Sequence, residues 1–189
     1  MKIKVMFAVL FFLLMAAMPI GFMAKAPKSG DALQESSDEK EIAQTAALCE
    51  ESFCDEAIRA VAIIQKTNAS IEKNGDNSAD GNNYNSDSEL YKRASKIYNS
   101  NKEILLYKNK AVAIPFSSCS NGFTQPDKRY PYLEAVASPW DCFSEKYSEA
   151  QLCSGVSVSG IDYLCKKGMS AEDALKWYLP KLSAADDTN

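Results

Sequence analysis

The stretch CDEAIRAVAIIQKTNASIE, at positions 54–72, carries a clear helical pattern. Asp55 and Glu56 lie in its first turn, where the positive end of a helix dipole stabilises carboxylates. Its apolar residues recur at helical spacing and form one stripe: Ala57, Ala60, Val61, Ile64 and Ile71. The stretch therefore predicts an amphipathic helix whose apolar side packs against the rest of a folded domain.

The segments on either side of this helix alternate between helical patterns and one β-hairpin. The further predicted helices are Glu41–Cys49, Glu89–Asn99, Gly160–Lys167 and a last helix that Ser170 caps and that ends near Pro180. The predicted hairpin has the arms Ile104–Tyr107 and Ala111–Phe116, with short strands also expected at Leu133–Val136 and Val156–Val158. These elements show no βαβ rhythm, so the fold class is α+β, with helices packed on a small antiparallel sheet in one compact domain over residues 41–182.

The N-terminus has the features of an export signal. Lys2 and Lys4 precede an uncharged run, Val5–Ala24, whose length matches the hydrocarbon core of a bilayer. Residues 1–25 are therefore expected to be a signal anchor or, since Ala24-Lys25-Ala26 resembles a cleavage site, a cleaved signal peptide. The lysines favour a cytoplasmic N-terminus, which places the domain outside the cell membrane, or makes it secreted if cleavage occurs.

Two polar segments frame the predicted domain. Residues 26–40 contain Pro, Gly, Ser and Asp and are expected to form a flexible linker. Residues 183–189 are expected to form a disordered tail. The chain is thus divided into a membrane-directed segment, a linker, one domain and a tail.

The composition excludes several kinds of active site. The chain has 189 residues and no histidine, so it has no Ser-His-Asp triad, no Cys-His pair and no His-ligated metal. Acid–base chemistry therefore depends on carboxylates, lysine, tyrosine or cysteine. With 21 basic and 25 acidic residues the formal net charge is −4, which argues against a nucleic-acid partner.

Six cysteines lie on the expected exported side of the chain. They are Cys49, Cys54, Cys119, Cys142, Cys153 and Cys165. An even number outside the cell suggests disulfides, whose pairing the sequence leaves open; free buried thiols and a Cys-only zinc site are the alternatives. A nucleophilic cysteine is disfavoured, because no histidine is present to activate it.

Three groups of side chains are candidates for binding or chemistry. The loop Ser117–Gly122 is rich in hydroxyl and amide groups, although such loops are more often plain turns. The aromatic residues around Trp140 can stack on sugars or can form core, and Trp140 is the one expected at a rim. The acidic group at Glu50, Glu51, Asp55 and Glu56 can supply a proton donor, or can serve the helix N-terminus.

Four segments in order resemble the stage II sporulation protein D / amidase enhancer family of exported peptidoglycan enzymes. The resemblance extends from about Ala46 to Pro180. The segments are Ser52–Thr67, similar to the family's F-x-x-E-A helix; Glu103–Thr124, similar to its strand pair and serine-rich loop; Pro131–Asp141, which matches P-Y-L-x-x-V-x-S-P-W-D; and Gly155–Tyr178, similar to its G-M-S-Q segment and last helix. The third segment is the most specific.

The resemblance implies a lytic transglycosylase that cleaves peptidoglycan glycan strands in sporulation or cell-wall remodelling. In that chemistry one carboxylic acid protonates the glycosidic oxygen, and the resulting carboxylate helps the sugar's own 6-hydroxyl to close an anhydro ring. No cofactor and no metal are implied for this chain. The implied partners are glycan strands, with a cell-wall amidase or other sporulation proteins as further candidates, and the membrane through the N-terminal helix.

The resemblance also implies which residues form the site. The family's essential glutamate lies just before the F-x-x-E-A helix. An alignment without gaps places Leu48 at its position, whereas an alignment with a two-residue deletion places Glu50 there. Glu56 matches a second glutamate of the family, on the helix itself. The implied substrate-binding residues are Ser117, Ser118, Ser120, Asn121, Thr124, Trp140 and Ser157.

The chain also departs from the family pattern. Ser117 stands where many members have histidine, and Val158 stands where the family has glutamine. The usual insertion before Gly155 is nearly absent. The chain is therefore expected to be a minimal, divergent member, and the alternative is an inactive glycan-binding or amidase-activating relative.

Overall fold

The computed structural model describes residues 29–72 and 86–187, and for residues 29–37 it describes the backbone alone. The predicted signal anchor or signal peptide, residues 1–25, lies outside these ranges. Within them, none of the helices combines the length and the apolar character needed to cross a bilayer. Ser36–Asn189 form one compact unit, to which the following description refers apart from the first turns of the first helix.

The described residues form an α+β domain with a small antiparallel sheet, as the sequence predicts. Its helices are α1 (Ser29–Leu48), α2 (Asp55–Glu72), α3 (Glu89–Ser100), α4 (Val158–Lys166) and α5 (Ala171–Tyr178), with one 3₁₀ helix at Pro139–Phe143. Its strands are β1 (Glu103–Tyr107), β2 (Lys110–Ala111), β3 (Phe116–Ser117), β4 (Val156–Ser157) and β5 (Ser183–Asp186).

Helix α2 is the centre of the domain. The prediction placed one apolar stripe on it, but the structure buries every residue from Ala57 to Ile64 except Arg59. The reason is that α3, β1, α4 and α5 all pack against α2, so neither side of its middle turns faces water. The burial of small and branched side chains on both sides makes α2 the axis of the core.

Helix α1 begins earlier than the sequence predicted. The helix was expected at Glu41–Cys49 after a flexible linker, but α1 already begins at Ser29. Its C-terminal half is held by burial of Ile42, Ala43 and Thr45. Between Gly30 and Leu48 the chain has no glycine or proline that would stop a helix. Adding a turn to an existing helix costs less free energy than starting a new helix, so α1 extends towards the N-terminus.

The main sheet has the strand order β2-β1-β5 and is antiparallel. The turn between the arms was expected over residues 108–110, but Lys110 already belongs to β2, and Lys108 and Asn109, both with positive φ, form a two-residue hairpin turn. The second arm of the hairpin is shorter than predicted. The side-chain amide of Asn68 in α2 binds both the N–H of Ile114, at 2.6 Å, and its carbonyl, at 3.1 Å, and so replaces a strand partner.

The expected disordered tail contains a strand instead. Residues Ser183–Asp186 form β5, which pairs with β1 in the register Glu103↔Asp186 to Leu106↔Ser183. This pairing satisfies the free edge of β1, which an unpaired tail would leave open. The segment SAAD has few β-forming residues, so its strand structure depends on β1 rather than on its own sequence.

A second, parallel pair of strands leads into the candidate site. Strand β3 pairs with β4 in the register Phe116↔Val156 and Ser117↔Ser157. Gly155 has a φ of +87°, and a Cβ there would lie 2.0 Å from the carbonyl oxygen of Pro115, so only glycine allows this approach. The strand predicted at Leu133–Val136 does not form; a single bridge, Phe123↔Ala137, takes its place.

Candidate functional site

A cleft of about 270 Å³ lies where the loop before α2, the 3₁₀ helix and α4 meet. Aromatic side chains form part of its wall, and carboxylates, hydroxyls and one lysine form the rest. The lining residues are Glu50, Ser52, Phe53, Trp140, Phe143, Ser144, Glu145, Ser159, Asp162, Tyr163 and Lys166. An apolar surface with a few polar groups is typical of a small-molecule or sugar site.

Four aromatic rings form a continuous row along this region, which we call the aromatic row. Phe143 lies 6.3 Å from Tyr163, Tyr163 lies 5.6 Å from Trp140, and Trp140 lies 5.5 Å from Trp177, measured between ring centroids. The rings of Trp140 and Tyr163 are nearly parallel, at 2°. Phe143 is 77% exposed and Trp177 is 43% exposed. Exposed aromatic faces of this kind offer flat apolar surfaces to a ligand.

Trp140 is held in place by a buried hydrogen-bond network. Its indole N–H donates to the hydroxyl of Tyr178 at 3.2 Å, and that hydroxyl is 2.6 Å from the hydroxyl of Ser138. Burial raises the pKa of Tyr178. Gly160 allows this arrangement, because a Cβ there would lie 1.9 Å from the Tyr178 oxygen. The orientation of the ring therefore depends on α4 and α5 together.

Asp141 fastens the serine-rich loop to the 3₁₀ helix. Its buried carboxylate accepts the Ser120 N–H at 3.0 Å, the Ser120 hydroxyl, and the Ser138 hydroxyl at 3.0 Å. A buried carboxylate needs such donors, because it has lost its contact with water. Ser120 and Asp141, the residue that follows Trp140 in the chain, thus form a buried structural link.

Glu50 lines the cleft. Its carboxylate forms an ion pair with Lys146 at 2.8 Å, and about half of the side chain, 48%, remains exposed. The Glu50 carbonyl accepts the N–H of Phe53 at 3.0 Å, which closes a turn just before α2. Glu50 thus lines the cleft beside Lys146, a residue that follows the 3₁₀ helix.

Glu56 lies elsewhere. Its carboxylate accepts the N–H of Ala171 at 2.8 Å, at the first residue of α5. Arg59 lies 3.9 Å away and also binds Glu103 and Glu172. Glu56 therefore belongs to a charged cluster that joins α2, β1 and α5, and it is not among the residues that line the cleft.

The predicted substrate-binding residues divide into two groups. Ser120, Thr124 and Ser157 are fully buried, and their hydroxyls already serve the fold: Thr124 binds the Glu134 carbonyl and the Val136 N–H, and Ser157 caps α4. A glycan strand at the protein surface could not reach these three side chains, in contrast to the expectation from the resemblance. Of all the predicted site residues, the cleft brings together Glu50 and Trp140.

The remaining predicted loop residues lie beside the cleft. Ser117 is half-buried in β3, and the exposed Ser118 has its hydroxyl 3.5 Å from the Gln151 amide. The Ser118 carbonyl accepts the hydroxyl of Ser159, a residue that does line the cleft, at 2.7 Å. The Asn121 amide donates to the Glu149 carbonyl at 3.3 Å.

Sequence reasoning missed the four residues of α4 that line the cleft, Ser159, Asp162, Tyr163 and Lys166. Asp162 is 7% exposed; one carboxylate oxygen accepts the Cys54 N–H at 3.2 Å and the other pairs with Lys166 at 2.6 Å. Tyr163 stacks on Trp140. The available signal was the i, i+4 spacing of Asp162 and Lys166, which predicts an ion pair on one side of a helix.

All six cysteines are present as free thiols. Burial raises the pKa of Cys49 and of Cys165 to about 12, and that of Cys153 to about 11. These thiols are protonated at neutral pH and are poor nucleophiles. The residues that the structure describes contain no cluster of three or more His, Cys, Asp or Glu side chains placed to hold a metal ion.

The fold and the cleft define an α+β domain whose candidate site combines an aromatic wall with carboxylates, and sequence comparison relates part of it to known proteins. No family model matches the chain. Stage II sporulation protein D of Bacillus amyloliquefaciens is 36% identical over 86 residues, which is 39% of this chain and 25% of the relative. Stage II sporulation protein D of Bacillus subtilis (strain 168) is 36% identical over 66 residues, which is 32% of this chain and 19% of the relative.

The chain thus spans a quarter or less of the length of these curated relatives. The identity within the matched stretches supports a partial relationship to stage II sporulation protein D.

Proposed function

We propose that this protein cleaves peptidoglycan glycan strands by a lytic-transglycosylase-like reaction, in sporulation or cell-wall remodelling, with Glu50 as its acid. One observation carries the proposal: Glu50 and Trp140, which come from two distant segments of the resemblance, line the same cleft. The partial similarity to stage II sporulation protein D supports the sporulation role.

The cleft suits a glycan strand chemically. A pyranose ring has an apolar face of C–H groups and a polar edge of hydroxyls. Trp140 and Tyr163 offer flat rings to the apolar face. Ser144 and Ser159, whose hydroxyl protons go to Ser159 and to the Ser118 carbonyl, offer the remaining lone pairs of their oxygens as acceptors to the sugar hydroxyls at the edge. Such a surface orients a sugar by stacking and selects it by hydrogen bonding.

The proposed reaction requires a single carboxyl group. Protonated Glu50 gives its proton to the glycosidic oxygen, and the bond from that oxygen to the anomeric carbon breaks with the electron pair left on the oxygen. The Glu50 carboxylate then takes the proton of the sugar's 6-hydroxyl while that oxygen bonds to the anomeric carbon. The products are a shortened strand and an anhydro-sugar end, and Glu50 is restored.

Lys146 is the group that a substrate must displace. The Lys146–Glu50 pair is at the surface, with 40% and 48% of the two side chains exposed. Ion pairs this exposed contribute only about 0–1 kcal/mol, so a bound strand can separate them at small cost. Separation leaves the Glu50 carboxyl group free to face the glycosidic oxygen.

A second candidate function is glycan binding or amidase activation without cleavage. The observation that favours it is the same ion pair: an exposed glutamate beside a lysine differs from the partly apolar setting in which carboxylic acids usually donate protons. In this alternative the aromatic row alone provides the interaction with the strand.

The decisive experiment compares cleavage and binding in matched variants. The full-length chain in detergent is incubated with glycan strands freed of stem peptides, and anhydro-muramyl ends are measured by mass spectrometry. We expect product from the wild type and from Glu51→Gln, the matched control, and at least about a hundredfold less from Glu50→Gln. Binding without product, equal in all three proteins, supports the second candidate; no binding and no product contradicts both.

We also propose that the N-terminal segment directs the domain out of the cell. Lys2, Lys4 and the uncharged run Val5–Ala24 support this proposal. The test is protease treatment of intact, wall-stripped cells that express the chain with a C-terminal tag. Loss of the tag signal agrees with an external domain, and full protection of the tag until the cells are lysed contradicts it.

A further inference from the structure

Two cysteines lie next to each other between α2 and α4. The thiols of Cys54 and Cys165 are within hydrogen-bonding reach of one another. Their backbones are brought together independently of the thiols: the N–H of Cys54 donates to Asp162 at 3.2 Å, and Asp162 lies one turn before Cys165 on the same side of α4. Lys166, the next residue, lies over the ring of Phe53.

The other cysteines are arranged differently. The thiol of Cys119 donates to the Ser120 carbonyl at 3.4 Å, and that of Cys153 donates to the Val156 carbonyl at 3.6 Å, so each points to the backbone. Cys49 is buried and Cys142 is exposed. Cys54 and Cys165, by contrast, are neighbours through their side chains as well as through the Cys54 contact with Asp162.

We propose that Cys54 and Cys165 are a redox site, which closes to a disulfide in the presence of a disulfide-bearing oxidant such as a thiol–disulfide oxidoreductase or oxidised glutathione. The proposal is independent of the glycan-cleaving function. Both residues are thiols in this structure, and Cys54 is the more accessible of the two, because it is only partly buried whereas Cys165 is buried. An oxidant therefore meets Cys54 first.

The exchange has two balanced steps. The Cys54 thiolate attacks one sulfur of the oxidant, the oxidant's S–S bond breaks, and one thiol leaves while the other sulfur stays bonded to Cys54. The buried Cys165 thiol, which is protonated at neutral pH, then attacks the Cys54 sulfur as its proton passes to the leaving sulfur of the oxidant, and the second thiol is released. Two electrons and two protons pass from the cysteines to the oxidant, which is reduced to two thiols.

Closure of this pair constrains the cleft. Phe53, on one side of Cys54, and Asp162 and Lys166, on either side of Cys165, all line the cleft. A bond between the two sulfurs ties the loop that carries Glu50 to the helix that carries Tyr163. It also closes a loop of more than a hundred residues, and cross-links that close long loops strongly restrict the unfolded chain.

The test is oxidation of the full-length chain in a glutathione redox buffer. The reduced protein has six free thiols, and we expect the count to fall by two, with a rise in Tm of more than about 5 °C. The bond is mapped by mass spectrometry after digestion without reductant. Cleavage at Glu51 and at Asp162 separates Cys54 from Cys49 and Cys165 from Cys153.

Variants identify the pair. Cys54→Ser and Cys165→Ser are expected to keep their thiol count and their Tm under oxidising conditions, whereas Cys142→Ser, the control, is expected to show the same Tm rise as the wild type. If a cysteine variant fails to fold, the mapped cross-link in the wild type decides alone. A full count of six thiols after oxidation, or a cross-link between other cysteines, overturns the proposal.

Discussion

The hydroxyl of Tyr178 lies 3.2 Å from the indole nitrogen of Trp140, and Gly160 lies against both groups. Because Gly160 of α4 has no side chain, Tyr178 of α5 can approach closely enough to bind Trp140. The orientation of the aromatic wall of the cleft therefore depends on the close approach of two helices, and this dependence can be measured.

We expect Gly160→Ala to destabilise the protein by about 1–3 kcal/mol, because its Cβ would meet the Tyr178 hydroxyl at 1.9 Å. Tyr178→Phe alone is expected to cost about 1–2 kcal/mol through the loss of two hydrogen bonds. In the double variant the missing hydroxyl removes the nearest contact of the Cβ, while the Ser138 hydroxyl at 2.8 Å remains, so the two costs together are expected to be less than additive. Urea unfolding of the four proteins measures this coupling, and strict additivity contradicts the assigned contact.

We expect substitution of Glu56 to lower the stability of the protein and substitution of Glu50 to lower its cleavage activity. Glu56→Ala removes the acceptor for the Ala171 N–H and is expected to lower the free energy of unfolding by about 1 kcal/mol, while the folded protein keeps its cleavage activity. Glu50→Gln is expected to change stability by less than about 0.5 kcal/mol and to remove activity. Thermal melting and product assays on the two variants check this, and a reversed pattern contradicts the assignment of Glu50 to the cleft chemistry.

We expect the Glu172 carboxylate to make folding sensitive to acid. Partial burial opposes its ionisation, but its backbone N–H contact and Arg59 outweigh burial and lower its pKa. A lowered pKa in the folded state contributes stability above the unfolded pKa, and this contribution is lost as the pH falls through the folded pKa. Urea unfolding from pH 7 down to pH 3 should show a smaller loss of stability in Glu172→Gln than in the wild type. Equal slopes contradict the prediction.

We expect removal of residues 183–189 to expose the outer edge of β1. Because Ser183–Asp186 supplies the antiparallel partner of Glu103–Leu106, its loss leaves backbone groups unpaired and Leu182 less covered. The shortened protein is expected to lose about 1–3 kcal/mol of stability and to self-associate at high concentration. Urea unfolding and light scattering measure both effects. Removal of residues 188–189 alone is the control and should change neither.

The elements that the sequence predicted well have local causes. Helix α5 begins after Ser170, whose hydroxyl accepts the Asp173 N–H at 3.1 Å, and the hairpin turns at Lys108 and Asn109. Strand β5 and the shortened hairpin arm have non-local causes, since one depends on the edge of β1 and the other on the amide of Asn68. Patterns along the chain carry no information on such partners.

The site was predictable only in part for the same reason. Glu50 and Trp140 were named through the resemblance, and they share the cleft. Ser120 and Thr124 were expected to bind substrate through the resemblance, yet Ser120 is hydrogen-bonded to the buried Asp141 carboxylate and Thr124 to backbone groups of Glu134 and Val136. Asp162 was missed because the helical pattern of α4 does not tell which side of the helix faces a cleft.

The aromatic row has an optical consequence. Trp140 and Trp177 are the two tryptophans of the chain, and their rings lie 5.5 Å apart in that row. All tryptophan emission of the protein therefore originates from the aromatic row, and one of the two emitting rings, Trp140, lines the cleft. The unlabelled protein carries its own fluorescent reporter, so that sugar binding can be titrated by intrinsic emission without a dye or a tag.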